Sequence, residues 1–389
     1  MNTQRWNRVM ASAIMCLCLC STAEAIITVN TTTDVDSGID GVCSLREAII
    51  AVNTGATYNE CIFTVAPEII VFAVPAPSTI TLLSALPALI NNVTITGPGA
   101  ASLAVSGGNL FRVFDITAGT VTFSDLTIRN GSSATGAGLR FAFGSFGSIT
   151  DSTIRNNTGD GILSNGTLSL TRSTVSGNAA GSSGIHALGV ATQIVNSTIS
   201  SNLGNGILVG AAARLTMLYS TVTANTGAGL SNEGTATVNS TILSANTPNC
   251  AGTQAVTSTG YNLEDADDCL FTNTGDQTNT NPRLGPLENN GGPTFTHALP
   301  GGISSSLAIN AGDPAPCGTT LVTDQRGVIR PDSGSGACDT GAYERQPSAG
   351  GGSSGSCSLA GEGAAFDPTL WLLVLVSCIY LGYRRTYTT

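Results

Sequence analysis

Ser173-Thr174-Val175-Ser176-Gly177-Asn178 is followed by Ser197-Thr198-Ile199-Ser200-Ser201-Asn202 and then by Ser220-Thr221-Val222-Thr223-Ala224-Asn225. Upstream, Leu126-Thr127-Ile128-Arg129-Asn130 and Ser152-Thr153-Ile154-Arg155-Asn156 carry the same pattern, and Ser240-Thr241-Ile242-Leu243-Ser244-Ala245-Asn246 closes it downstream. The β-branched anchors recur about every 20 to 26 residues, a period typical of solenoids. A second apolar strand lies between anchors, at Ile162-Leu163, Ile185, Ile207-Leu208-Val209 and Leu230. Each period therefore holds at least two short strands and no helical periodicity, which predicts a β-coil. One coil cannot bury its own apolar side chains; stacking coils about 4.8 Å apart turns them into continuous internal ladders. Asn130, Asn156, Asn178, Asn202, Asn225 and Asn246 are expected to form an amide ladder at a bend, a structural role and not a catalytic one.

Earlier apolar strands at 69–72, 79–82, 93–96, 103–106, 112–116 and 121–123 extend the pattern, so the solenoid is expected over residues 67–249. That length allows roughly eight coils in a rod about 40 Å long. A solenoid exposes core at both ends and needs caps. In Cys43-Ser44-Leu45-Arg46-Glu47-Ala48-Ile49-Ile50, Ser stands three residues before Glu. This capping box predicts a helix of about ten residues, whose Leu45, Ala48, Ile49 and Val52 face covers the first coil.

Composition narrows the function classes. Of 389 residues 10% are charged, and the formal net charge is -10. All 15 cations are arginine, since the chain contains no lysine. Nucleic acid, which requires a basic stripe, is disfavoured, and an anionic polymer would need a local arginine cluster. Residues 1–25 read as a secretory signal, with Arg5 and Arg8 before the apolar run Val9 to Cys20 and cleavage after Ala25 in Ala23-Glu24-Ala25. A lipoprotein signal at Cys20 would need a small residue where Leu19 stands. Of 11 cysteines, six fall in the exported body and cluster as Cys43 with Cys61, Cys250 with Cys269, and Cys317 with Cys338. Neighbour pairing is expected, each bridge constraining the unfolded chain by about 3 kcal/mol. With only His186 and His297 and no C-x-x-C, a zinc site is not expected.

Cys43 to Ala48 matches the CSLREA motif near the mature N-terminus of many exported bacterial β-helix proteins, which assigns residues 26–66 to an N-terminal cap. Asn281-Pro282-Arg283, Asn289-Asn290-Gly291-Gly292-Pro293, Asp324-Gln325-Arg326-Gly327 and Cys338-Asp339-Thr340-Gly341-Ala342-Tyr343-Glu344 resemble the choice-of-anchor Q region, covering a loop-rich C-terminal cap at 250–345. The resemblance implies an all-β fold, a single-stranded right-handed parallel β-helix of the pectin-lyase-like superfamily, and supplies no activity. Asp324, Arg326, His297 and Glu344 are read as structural, since buried charges in such caps pair with one another.

Residues 346–356 form a Gly/Ser linker. Residues 357–389 carry Cys357, the segment Asp367-Pro368-Thr369, an apolar run from Leu370 to Tyr383 and the pair Arg384-Arg385. They resemble a JDVT-type C-terminal sorting signal with a transmembrane segment; a plain membrane anchor is the alternative. The resemblance implies signal peptidase and a C-terminal sorting protease as partners, and a location on the bacterial cell surface or outer membrane or, after processing, outside the cell.

Three functions remain: a non-catalytic surface module that binds carbohydrate or a cell surface, a polysaccharide lyase or glycoside hydrolase, and a structural spacer. Enzymatic hydrolysis requires converging carboxylates. Asp125 and Asp151 hold matching positions, with Arg129 and Arg155 stacked likewise, and form the candidate catalytic cluster. No cofactor is required by this reading. Calcium could bridge that acid pair, or bind Asp34, Asp36 and Asp40 around Ser37-Gly38, where spaced carboxylates in a turn gather oxygen ligands. His186, on a Gly-rich turn, is read as incidental.

Overall fold

The computed structural model describes residues 25–64, 68–178, 181–332 and 336–346. The signal segment, the linker beyond Gln346 and the C-terminal residues Cys357, Asp367, Pro368, Thr369, Arg384 and Arg385 lie outside the described residues, as does the apolar run Leu370 to Tyr383. Among the described residues no helix is long and apolar enough to cross a membrane.

Each full coil contains three strands, for example Thr167–Thr171, Thr174–Ser176 and Ser183–Ala187. Equivalent strands of successive coils pair in parallel, so the described residues form three long sheets of ten, nine and seven strands. The first sheet runs from Ala25–Val29 to Val256–Ser258, the second from Ser78–Thr81 to Leu263–Glu264, and the third from Phe114–Ile116 to Cys250–Ala251. Nine spacings of about 4.8 Å make the first sheet about 43 Å long. The stack thus extends beyond 67–249 at both ends: Ala25–Val29, inside the expected N-terminal cap, pairs with Glu68–Phe72, and three further strands follow Asn249.

The register assigns a task to each letter of the repeat. Ile128, Ile154, Val175, Ile199, Val222 and Leu243 are mutual partners across the second sheet and fully buried. Each such burial contributes about 1.5–3 kcal/mol. Ile242 is displaced from this column: it pairs with Thr221 on the outer face, and Leu243 points inward instead. The serine two residues before the anchor forms its own ladder. Backbone N–H groups of Ser152, Ser173 and Ser197 donate to the hydroxyls of Ser173, Ser197 and Ser220 at 3.2, 3.2 and 3.3 Å.

The amide ladder stands three residues after each anchor. Asn157, Asn178, Asn202 and Asn225 donate from Nδ2 to Oδ1 of Asn178, Asn202, Asn225 and Asn246 at 3.0, 2.9, 2.9 and 2.9 Å. Asn130 and Asn156 are not members. They stand two residues after their anchors, in the left-handed position with φ of 51° and 55°, which Asn tolerates. Asn157 replaces Asn156 in the ladder, and at the next level up Gly131 donates its N–H to Asn157 Oδ1 at 2.8 Å.

Both ends are closed. Ser44 and Glu47 form a capping box that starts the helix Leu45–Thr54, and Gly55 ends it at φ 63°. Leu45, Ala48, Ile49 and Val52 of this helix join the same core as the coils. Cys43–Cys61, Cys250–Cys269 and Cys317–Cys338 are disulfide-bonded. At the far end Glu264 occupies the inward column after Leu243. Its Oε2 accepts the Cys269 N–H at 3.1 Å. Burial pushes its carboxyl up to about 7, aided by the charges of Asp267, Asp268 and Asp265 and opposed by that hydrogen bond.

Two outcomes are expected. Asn202→Ala strands buried partners on both sides and should cost about 3 kcal/mol in urea unfolding, whereas Asn156→Gly should cost well under 1 kcal/mol. Glu264 holds its proton in the folded state between the ordinary 4.5 and about 7, so its stabilisation is full below 4.5 and lost as pH rises through 7. Unfolding followed from pH 4.5 to 8 should therefore show a smaller loss of stability for Glu264→Gln than for the wild type.

Candidate functional site

On the outer face of the second sheet two columns alternate with the buried one. Thr79, Ala104, Thr127, Thr153, Thr174, Thr198 and Thr221 form one column, and Thr81, Ser106, Arg129, Arg155, Ser176, Ser200 and Thr223 the other. The C-terminal cap folds back over the later part of this face. Thr174 donates to the Phe295 carbonyl at 2.6 Å, Thr198 donates to Gln325 Oε1 at 2.6 Å, and Thr221 Oγ1 accepts the Ala342 N–H at 3.1 Å. Where the outward column becomes Ile242 and Leu263, the cap supplies Leu299 and Ala308 to bury them.

The cap is held by its own polar ties. Arg330 and Glu344, both fully buried, meet at 2.8 Å, and Arg330 lies over the Tyr219 ring. Arg326 meets Asp324 at 2.7 Å and covers the Tyr343 ring at 3.6 Å. His297 donates from Nδ1 to the Gly285 carbonyl at 2.7 Å and accepts from the Ser200 hydroxyl at 2.9 Å. Burial holds its imidazole below the ordinary range, so it stays neutral there.

The uncovered part of the face is a groove of about 550 Å³. Its floor is Thr79, Ala104, Thr127, Thr153, Arg129 and Arg155, and its wall is Leu287, Pro293 and Phe295 of the cap. Arg129 and Arg155 are direct partners on neighbouring strands. Arg129 Nη2 donates to Thr79 Oγ1 at 3.0 Å, while its buried Nε has no hydrogen-bond partner. Among the described residues the Arg155 guanidinium has neither a hydrogen-bond nor an ion-pair partner. Burial, and then the Arg129 charge, hold the Arg155 guanidinium below the usual arginine range. Two like charges on one sheet face with no counter-charge are unfavourable unless an anion joins them.

The four residues expected to form one site are divided between two places. Asp125 and Asp151 lie in the turn before the strands Thr127–Arg129 and Thr153–Arg155, in left-handed conformations with φ of 58° and 50°. The arginines lie at the far ends of those strands. Asp151 is instead bound by Arg172 through two contacts, at 2.8 and 2.5 Å. Burial, and then the Asp151 charge, push the Asp125 carboxyl up. Arg172 was missed in sequence because it stands in the same turn one coil later, where the aligned letters are Asp, Asp, Arg.

The expected calcium site at Asp34, Asp36 and Asp40 is not assembled. Asp34 is taken by Arg46 at 2.9 and 2.7 Å and by the Leu83 N–H at 2.8 Å. Asp36 accepts from Tyr58 and Asn59, and Asp40 from the Val42 N–H. Among the described residues no three His, Cys, Asp or Glu side chains converge to hold a metal. His186 lies not on a turn but in the strand Ser183–Ala187.

Residues 78–247 match the family model described as right handed beta helix region. The fold is a right-handed parallel β-helix. A search of curated proteins returns no match to the sequence. Among solved structures, the crystal structure of pectate lyase Pel9A aligns at 13% identity and a TM-score of 0.47, covering 83% of this chain and 97% of that one. Geobacillus virus E2 ORF18 aligns at 11% identity and a TM-score of 0.22, over 61% and 60% of the two chains.

Because the Arg155 guanidinium is opposed by Arg129 and has no partner among the described residues, Arg155→Gln should leave the unfolding free energy within about 0.5 kcal/mol of wild type or raise it. Chemical denaturation of the two proteins side by side measures this.

Proposed function

We propose that this β-helix is displayed on the bacterial cell surface and binds an acidic glycan in the groove of its second sheet, without transforming it. The observation that carries the reading is the Arg129–Arg155 pair, two neighbouring cations with no counter-charge among the described residues, in a chain of net charge -10. Guanidinium groups bind carboxylate or sulfate through paired hydrogen bonds stronger than neutral ones. The surrounding hydroxyls of Ser78, Thr79, Thr127, Thr153 and Ser176 suit the remaining oxygens of a sugar. Phe295, half exposed at the wall, offers an apolar face against which a ring can lie.

A binding role is favoured over hydrolysis because no Asp, Glu or His is among the residues lining this groove, whereas glycoside hydrolysis takes an acid and a base. Export through residues 1–25 and anchoring through 357–389 belong to the same reading, since a glycan site is useful only where glycans are.

Polygalacturonate, alginate and chondroitin sulfate immobilised beside neutral dextran provide the test. Retention on at least one acidic polymer and not on dextran is expected. It should weaken about tenfold or more in Arg155→Gln and fall steadily as salt is raised. Equal retention on dextran would overturn the acidic-ligand reading. Release of unsaturated or reducing ends, followed by absorbance, would overturn the non-catalytic one.

A further inference from the structure

A second groove, of about 360 Å³, lies on the third sheet, away from the arginine pair, and its charged lining residues are Asp160 and His186. Asp160 precedes the strand Ile162–Ser164 and is almost fully buried. Its Oδ1 accepts the Ser183 N–H at 2.8 Å. Its Oδ2 faces Nδ1 of His186 at 3.5 Å. His186 projects outward between its register partners Leu163 and Leu208, with its side chain 23% exposed.

A separation of 3.5 Å is longer than an ordinary N–H···O bond, which falls at about 2.7–3.2 Å. It matches the edge of a tetrahedral coordination shell: bonds of about 2.0–2.2 Å keep adjacent donors roughly 3.3–3.6 Å apart. A carboxylate this desolvated is costly without a nearby cation. Arg112, which reaches this groove at the Thr135 carbonyl, is otherwise engaged, donating also to Ser133 and Asp115, and Arg140 is held by Asp115.

We propose that Asp160 and His186 bind one divalent transition-metal ion of the zinc or copper class, with Nδ1 and Oδ2 as the two protein ligands. One imidazole and one carboxylate suit these ions, whereas calcium and magnesium take oxygen ligands. Two protein ligands leave the remaining positions to water or to a donor supplied by another molecule. Hydroxyls of Thr135, Ser182 and Ser183 line the same groove. The other histidine does not compete, because both ring nitrogens of His297 are already hydrogen-bonded.

The experiment takes the purified full chain, strips it with chelator and titrates it with zinc chloride by calorimetry, while ¹⁵N-imidazole NMR follows both histidines. One equivalent of zinc is expected to bind, and Asp160→Asn and His186→Gln should each weaken it about tenfold or more. Arg129→Gln should leave it unchanged. The Nδ1 resonance of His186 should move with zinc while that of His297 stays fixed. Zinc retained at full affinity in His186→Gln would place the ion elsewhere and overturn the proposal. So would a His186 resonance that responds to pH but not to zinc. If Asp160→Asn fails to fold, the resonance of the wild type and the affinity of His186→Gln decide.

Discussion

Strand backbone N–H and C=O groups of the interior coils pair with the coils above and below, and this constraint governs the rest of the molecule. Hydrogen bonding between coils fixes the register, and a fixed register places chemically equivalent residues at equivalent points of each turn. A side chain in this stack is therefore surrounded by copies of itself. Aliphatic copies gain from that arrangement by packing. Serine and asparagine gain because each supplies the acceptor its neighbour needs, as in the unbroken amide bonds from Asn157 to Asn246. Charged copies lose, since like stands over like.

That asymmetry explains where the chain spends its few charges. At the turn after the first sheet, Asp125 and Asp151 are followed by Arg172, so the acidic run ends in its own counter-ion. On the third sheet, Asp115 lies between Arg112 and Arg140 at 3.3 and 2.6 Å. In both places an arginine on a neighbouring coil supplies the counter-charge. Arg129 over Arg155 breaks the rule without internal compensation, and the break coincides with the part of the second sheet that the cap leaves open. Departures from local consistency of this kind concentrate where a protein meets its ligand.

Much of the fold was legible because the repeat is read one coil at a time. The anchor, the serine and the asparagine each recur at a fixed offset, and the capping box and cysteine pairs are local signals. What was misread turned on offsets of a single residue. Asn156 and Asn157 are adjacent letters with different duties, and only the distance of three from the anchor separates the bonded ladder from the left-handed corner. Ile242 looks like an anchor yet faces out, because Ser240-Thr241 is shifted by one against Ser220-Thr221. The site was harder. Asp125 and Arg129 are four letters apart, but a three-residue strand carries them to opposite corners of the coil. The groove's wall comes from Leu287 to Phe295, more than a hundred residues after its floor, and no periodicity reports that return.

The lateness of that wall bears on how the molecule is made. Coils can add one upon another as the chain emerges, since each contacts mainly its predecessor. Leu287, Pro293 and Phe295 reach the second sheet only after the last coil has formed, and Gln325 then donates to Thr174 across 151 residues of chain. A polypeptide cut short after Glu264 can possess all three sheets and still lack a finished groove. Completeness of synthesis is thus written into the groove itself, which takes its final shape only once the cap has been made.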